Sequence, residues 1–330
     1  MPDKNAVDSG LLSVEASPHL RRPDDTRTVM FSVNLALLPA AAVGLFIFGL
    51  PALRVLLLAV VGCLAFEALF IRLFGNEGSL SDGSALVTGL LLAFNLPPAS
   101  PWWLVLIGAL VAMLLGKHIF GGLGHNPFNP ALVARVFLLI AWPVEMTTWS
   151  ASRFAPDGTT QATPLGILKT DGLAKLHTLM ADDKMNLALG NMGGSFGEIS
   201  AVALILGALF LFFRGYLTWH IPVSFLATVA IFTGIFHHIN PTQYADPLFH
   251  LLSGGVLLGA LFMATDMVTS PMTGKGMLLF GLGCGLLTAV IRLFGSYPEG
   301  VSFAILIMNA LTPIIDRYVR PTLFGTVKKK

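Results

Sequence analysis

Six stretches of the chain, residues 30–49, 52–74, 101–120, 197–213, 217–236 and 277–294, are predominantly apolar over the length of a full span. A helix of about 20 apolar residues crosses the hydrocarbon core of a bilayer. Inside that core no water is available to pair backbone N–H and C=O groups, so such runs can only be helices or closed barrels. Four further segments, 84–96, 131–142, 248–264 and 301–315, are equally apolar but interrupted, each opening or closing on a polar, Gly/Pro-rich knot. Only 12% of the residues are charged, against about a quarter in soluble domains. The expectation is an all-α polytopic membrane protein with ten spans.

The knots are Ser81-Asp82-Gly83-Ser84, the run from Gly121 to Pro130, the run from Thr265 to Gly276, and the run from Gly295 to Gly300. Ile71-Arg72-Leu73-Phe74-Gly75 recurs as Ile291-Arg292-Leu293-Phe294-Gly295, and the stretch from Ser81 resembles Ser253-Gly254-Gly255-Val256. Two units of five spans, sharing the order long, long, broken, long, short, would have to lie upside down relative to one another. Broken helices in corresponding places of inverted repeats point to a midplane binding site. The expected organisation is an arm at 1–28, a first five-span repeat at 29–142, a polar loop at 143–197, a second repeat at 198–316 and a basic tail at 317–330.

Arg21, Arg22 and Arg27 precede the first span, and Arg317, Arg320, Lys328, Lys329 and Lys330 follow the last. With an even number of spans the positive-inside rule puts both termini in the cytoplasm and the 143–197 loop outside. Lys117, Arg72, Arg214 and Lys275 agree with this assignment, whereas Arg54 and Arg292 fall on the outer side. The first 28 residues are polar and lead into the first span without a small-residue cleavage site, so that span is expected to be retained. Cys63 and Cys284 each lie inside an apolar run; they offer no metal or cluster spacing and read as inert buried thiols. The five tryptophans fall near span ends, as an interfacial belt does.

A helix that begins inside the membrane turns unpaired N–H groups and a positive dipole end toward whatever faces it. Ser81 or Asp82 can cap the start at Ser84, and Asn129 can cap the start at Ala131 with Pro130 in the first turn. A phosphate or the polar edge of a flavin suits such N–H groups; packing without a ligand is the plainer alternative. Glu67 and Arg135 lie within apolar spans, where charge is functional by default. They either pair with each other or, for Arg135, meet a phosphate or an anionic ring. Asp82 and Asp266, in the knots, serve a cation or simply cap helices. No Walker loop, dinucleotide fingerprint or zinc-protease motif is present, so ATP hydrolysis and nicotinamide binding are not expected of this chain. A nucleic-acid partner is not expected either.

Several stretches together resemble one family: Ser81 through Leu90, Asn95-Leu96-Pro97-Pro98, Gly116 through Gly124, Asn126 through Ala131, Ala162-Thr163-Pro164-Leu165, and Ala264 through Pro271. The family is that of the RnfD component of the Rnf electron-transport complex, with its homologue, the corresponding membrane component of the sodium-pumping NADH:quinone reductase. The resemblance implies FMN joined through its phosphate to the hydroxyl of Thr163, preceded by Thr160 and Ala162, with Gln161 where the family usually has Gly. Thr159 and Thr160 are the competing hydroxyls. It also implies a second, non-covalent flavin (riboflavin or FMN) near the broken-helix starts, at Gly83 and from Gly122 through Asn126 to Asn129. The implied setting is a bacterial inner membrane, with the other Rnf subunits, a flavin-attaching transferase, and Na+ or H+ as partners, and Asp82, Asp266 and Glu67 as candidates for the ion path.

Five-span inverted repeats with broken helices also characterise urea and ammonium channels, so a small-solute channel or transporter is the rival expectation. The Ala162-Thr163-Pro164-Leu165 loop separates the two, because a channel has no use for it. Fold alone does not decide.

Overall fold

A computed structural model describes residues 24–74, 80–149, 162–173, 175–176, 194–197, 200–295, 297 and 299–320. Secondary structure among them is entirely helical. Six helical segments are long and apolar enough to cross a membrane, and three shorter apolar helices lie among them. Most of the N-terminal arm, the basic tail beyond residue 320 and the centre of the polar loop, with Thr159, Thr160 and Gln161, lie outside the described residues.

Helix α1 (Thr26–Phe48) starts on the Asp25 carboxylate, which accepts from Thr26 N, and ends at Gly49, whose φ of 67° turns the chain directly into α2 (Leu50–Phe74). Then follow α3 (Ser84–Phe94), α4 (Trp102–Leu114), α5 (Pro130–Ala141) and the short α6 (Pro143–Thr147). The polar loop contributes α7 (Pro164–Thr170). The second half contains α8 (Ala201–Phe213), α9 (His220–Ile239), α10 (Pro247–Leu252), α11 (Gly274–Phe294) and α12 (Val301–Tyr318). Between α10 and α11 a helical turn, Val256–Leu258, runs into a π-helical turn, Gly259–Met263.

Packing within the two halves follows one scheme. α2 lies against α3 and α4, and α9 against α10 and α11; α4 lies against α5, and α11 against α12; α3 touches α1 and α5, as the π turn touches α8 and α12. Across the halves α1 packs on α8 and α5 on α12. Gly207 makes the first of these crossings close, since a Cβ there would come within 2.0 Å of Ala36 O.

Two span expectations are corrected. The run at 197–213 is not a full-length helix: α8 begins only at Ala201, with Ser200 as its cap. The preceding residues return into the core, where Phe196 N donates to Leu96 O at 3.2 Å and Gly197 N to Phe94 O at 3.0 Å. Those carbonyls belong to the end of α3, which stops inside the protein and needs outside partners. A Cβ at Gly197 would meet Phe94 at 2.3 Å, so the approach requires glycine. Conversely, the segment from Val301 is not interrupted, and α12 runs through Pro313. The shared order of helix lengths therefore does not hold. The repeated pentapeptide also sits in non-equivalent places, at the end of the second helix of one half and the fourth of the other.

The two arginines that dissented from the orientation have local partners. Arg54 donates to Ser100 O at 3.0 Å, and Arg292, buried, donates to His250 O at 2.6 Å and Ser253 O at 3.0 Å. Cys63 and Cys284 are fully buried, as expected of inert thiols.

Candidate functional site

Both helix starts read from the knots are present. Gly83, at φ 81°, turns the chain into α3, and its carbonyl accepts from Asn34 Nδ2 at 3.3 Å. Asp82 Oδ1 accepts from both the N–H and the hydroxyl of Ser84, at 2.8 and 2.7 Å. At α5, Asn129 Oδ1 accepts from Ala131 N and Leu132 N while its Nδ2 donates to Met263 O, and Pro130 takes the first helical position. Gly121, Gly122 and Gly124, all at positive φ, fold the knot that leads there.

These starts border a cavity lined by Ser84, Thr88, Asn126, Asn129, Thr265 and Asp266 with Phe262 and Leu91 among its apolar walls. Asn126 donates to Phe128 O at 3.1 Å, and its buried Oδ1 has no partner among the described residues. A polar-edged ring with an N–H to offer matches that orphaned acceptor. Asn126 and Asn129 therefore meet at one site; Gly83 and Gly122 shape it without lining it.

Glu67 and Arg135 do not pair. α2 and α5 are not neighbours, and each charge finds a different partner. Lys117 Nζ donates to Glu67 Oε1 at 2.5 Å and to Ser84 Oγ at 2.7 Å, with both ionic side chains at most 3% exposed. Lys117, counted among the cytoplasmic charges on sequence grounds, is thus buried at the wall of the cavity. Asp266 also lines it, accepting from Val268 N at 3.4 Å and Thr269 Oγ1 at 3.3 Å. Asp82, engaged in its cap, does not line it.

Arg135 lines a second pocket, with Trp149, Ala162, Thr163, Tyr297 and Glu299 among its other walls. It forms an ion pair with Glu299 and donates to Ser302 Oγ at 2.7 Å. Thr163 is the N-cap of α7: its Oγ1 accepts from Gly166 N at 3.1 Å, and Pro164 follows in the first turn. Hydroxyl, guanidinium and aromatic walls make a donor set suited to an aromatic phosphate ester. Thr163, Ala162 and Arg135 are thereby brought together. Thr160 lies outside the described residues. Sequence reasoning misses Trp149 and Glu299 as site residues; Trp149, read as belt, is 9% exposed.

α5 serves both places, with Pro130 at the first and Leu139 at the second. At 1.5 Å per residue these positions are about 13 Å apart along the helix axis. α12 accompanies it in the opposite direction: Asn309, with its amide oriented to satisfy both ends, accepts from Asn129 N at 3.2 Å, while Ser302 meets Arg135.

The NQR2, RnfD, RnfE family profile matches residues 13–325. The D component of the proton-translocating ferredoxin:NAD(+) oxidoreductase complex of Clostridium ljungdahlii is 45% identical over 324 residues, covering 97% of this chain and 98% of that protein. The D component of the Na(+)-translocating ferredoxin:NAD(+) oxidoreductase complex of Acetobacterium woodii is 43% identical over 321 residues, 97% of each chain. The D component of the ion-translocating oxidoreductase complex of Halorhodospira halophila is 43% identical over 340 residues, 95% of each.

Proposed function

The chain belongs to the NQR2, RnfD, RnfE family, and from that premise we propose that it carries FMN as a phosphoester on Thr163 within a membrane complex. It is a redox subunit of an ion-translocating ferredoxin:NAD+ oxidoreductase, coupled to Na+ or H+ transport and not acting on NADH or ferredoxin alone. The observation that carries the cofactor reading is that Thr163 and Arg135, 28 residues apart in sequence, line one pocket. A flavin held there supplies one- and two-electron chemistry. The protein's part is to fix the ester oxygen at the N-cap of α7, to offer Arg135 as the phosphate's counter-charge and to wall the ring with Trp149 and Tyr297.

A second, non-covalent flavin suits the cavity at Asn126 and Asn129, where the free Asn126 Oδ1 can accept a ring N–H. Of the ion-path candidates, Asp266 has the better position, since it lines that cavity while Asp82 caps α3. Ten crossings arranged as two inverted five-helix repeats, in a bacterial inner membrane with both termini cytoplasmic, are supported by the matched packing scheme and by the local partners of Arg54 and Arg292. Other Rnf subunits and a flavin-attaching transferase complete the setting.

The test of the attachment is Thr163→Ala: covalent flavin fluorescence in a denaturing gel is expected to vanish while the protein still inserts. Undiminished fluorescence would move the acceptor to Thr159 or Thr160. A small-solute channel carries no such fluorescence in the unmodified chain.

A further inference from the structure

We propose that Lys169 is a positioning residue for flavin attachment, a clamp that holds the Thr163 hydroxyl against the opposite wall of its pocket. This rests on the reading of Thr163 as the acceptor.

α7 has seven residues, too few to be stable by itself, since isolated helices below about 12 residues are marginal in water. Its Leu165, with Ile167 and Leu168, joins one apolar cluster with Leu176, Ala245 and Phe249. Such contacts are non-directional and fix position only loosely. Among the described residues, the directional ones come from one side chain. Lys169 Nζ donates to Ile291 O at 3.4 Å, Arg292 O at 3.2 Å and Tyr297 O at 3.0 Å.

Two of those carbonyls lie in the last turn of α11, where Ile291 O also accepts from Gly295 N at 2.9 Å and the helix dipole favours a cation. The third belongs to Tyr297, whose side chain lines the Thr163 pocket beside Glu299, the partner of Arg135. The end of α11 is itself tied down, because Arg292 reaches the carbonyls of His250 and Ser253 at the end of α10. α7 rests on α10 through Leu165. A closed circuit results: acceptor helix, ammonium, α11 and Tyr297, Arg292, α10, and back to the acceptor helix.

The plainer role for Lys169 is to cap α11 and nothing more. The two roles differ in what moves. A cap leaves α7 in place when removed; a clamp releases α7 and with it the acceptor oxygen.

The experiment uses the full complex in membranes, with Lys169→Met, Lys169→Arg and Thr163→Ala. Two readouts are taken: covalent flavin fluorescence per protein in a denaturing gel, and hydrogen–deuterium exchange of α7 peptides against α2 peptides. Loss of a charge-assisted set of bonds at a half-exposed site is expected to lower the attached flavin roughly fivefold at limiting transferase and to speed α7 exchange by a similar factor. α2 exchange stays unchanged, and Lys169→Arg restores both signals. Faster exchange with full fluorescence would leave a clamp that does not position the acceptor and would overturn the proposal. Reduced fluorescence with unchanged exchange would overturn it too, assigning Lys169 to contact with the transferase. Thr163→Ala that retains fluorescence sinks the acceptor reading separately, whatever α7 exchange shows.

Discussion

Each half of the molecule interrupts its helical run beside its third helix at a glycine of positive φ, Gly83 before α3 and Gly254 after α10, and each brings a buried cation to the break. The cations are neutralised differently. In the first half Lys117 meets a carboxylate, Glu67, and the hydroxyl of Ser84, and the break opens onto a cavity. In the second, Arg292 meets the carbonyls of His250 and Ser253, and Leu165 from α7 closes over Gly254, its Cδ1 within 2.7 Å of where a Cβ would be. One break opens onto a cavity. The other is a dock for the loop that carries Thr163.

The comparison predicts unequal costs. Lys117→Met leaves Glu67 buried and unpaired, and breaking a buried pair in this way costs about 3–5 kcal/mol. Denaturant titration in micelles should show that loss, and Glu67→Gln/Lys117→Met should recover most of it. A double variant as unstable as the single one would mean the pair is not what closes the first break. Arg292→Met removes the donors to the His250 and Ser253 carbonyls, so about 1.5–3 kcal/mol is expected. A loss as large as that of Lys117→Met would erase the distinction between the halves.

The cavities separate in the same way. Asn126→Leu removes the free acceptor from the open site, and one hydrogen bond of about 1 kcal/mol corresponds to some fivefold weaker retention of a non-covalent flavin. Flavin released by acid precipitation should fall while the covalent band at Thr163 stays constant. Loss of both would mean the sites are not independent.

What the sequence makes legible is local. Runs of apolar residues mark the helices, Asn129-Pro130 announces the start of α5 through a side chain two residues from the N–H it caps, and Thr163-Pro164 marks the N-cap of α7. Charge partners are not legible, because Lys117 and Glu67 lie 50 residues apart and Arg135 and Glu299 164 apart, with nothing in either neighbourhood to name the other. Lys117 misleads for a physical reason: at the end of an apolar run, a lysine that snorkels to the surface and one that turns inward have the same sequence. The residues before α8 mislead likewise, since Ser195-Phe196-Gly197 leads into an apolar run while serving as backbone partner to the end of α3.

The smallest expected effect concerns pH, and its sign is the informative part. Burial, and then the neighbouring Arg292, hold the Lys169 ammonium below its ordinary value of 10.5. The undocked state of α7, with Lys169 in water, therefore binds the proton more tightly than the docked state. Raising the pH from the depressed value toward 10.5 removes protons from the docked form first, which shifts the balance toward docking. Below the depressed value both forms are protonated and the balance is flat. If the ammonium charge alone held α7, deprotonation would release it; the neutral amine still has two N–H groups for carbonyls, and its desolvation cost is gone. Hydrogen exchange of α7 peptides, corrected for the intrinsic rise with hydroxide, should thus be level near neutrality and slightly slower relative to α2 as the pH approaches about 10. Faster corrected exchange there would show that the positive charge, more than the donor geometry, fastens the loop to the second half.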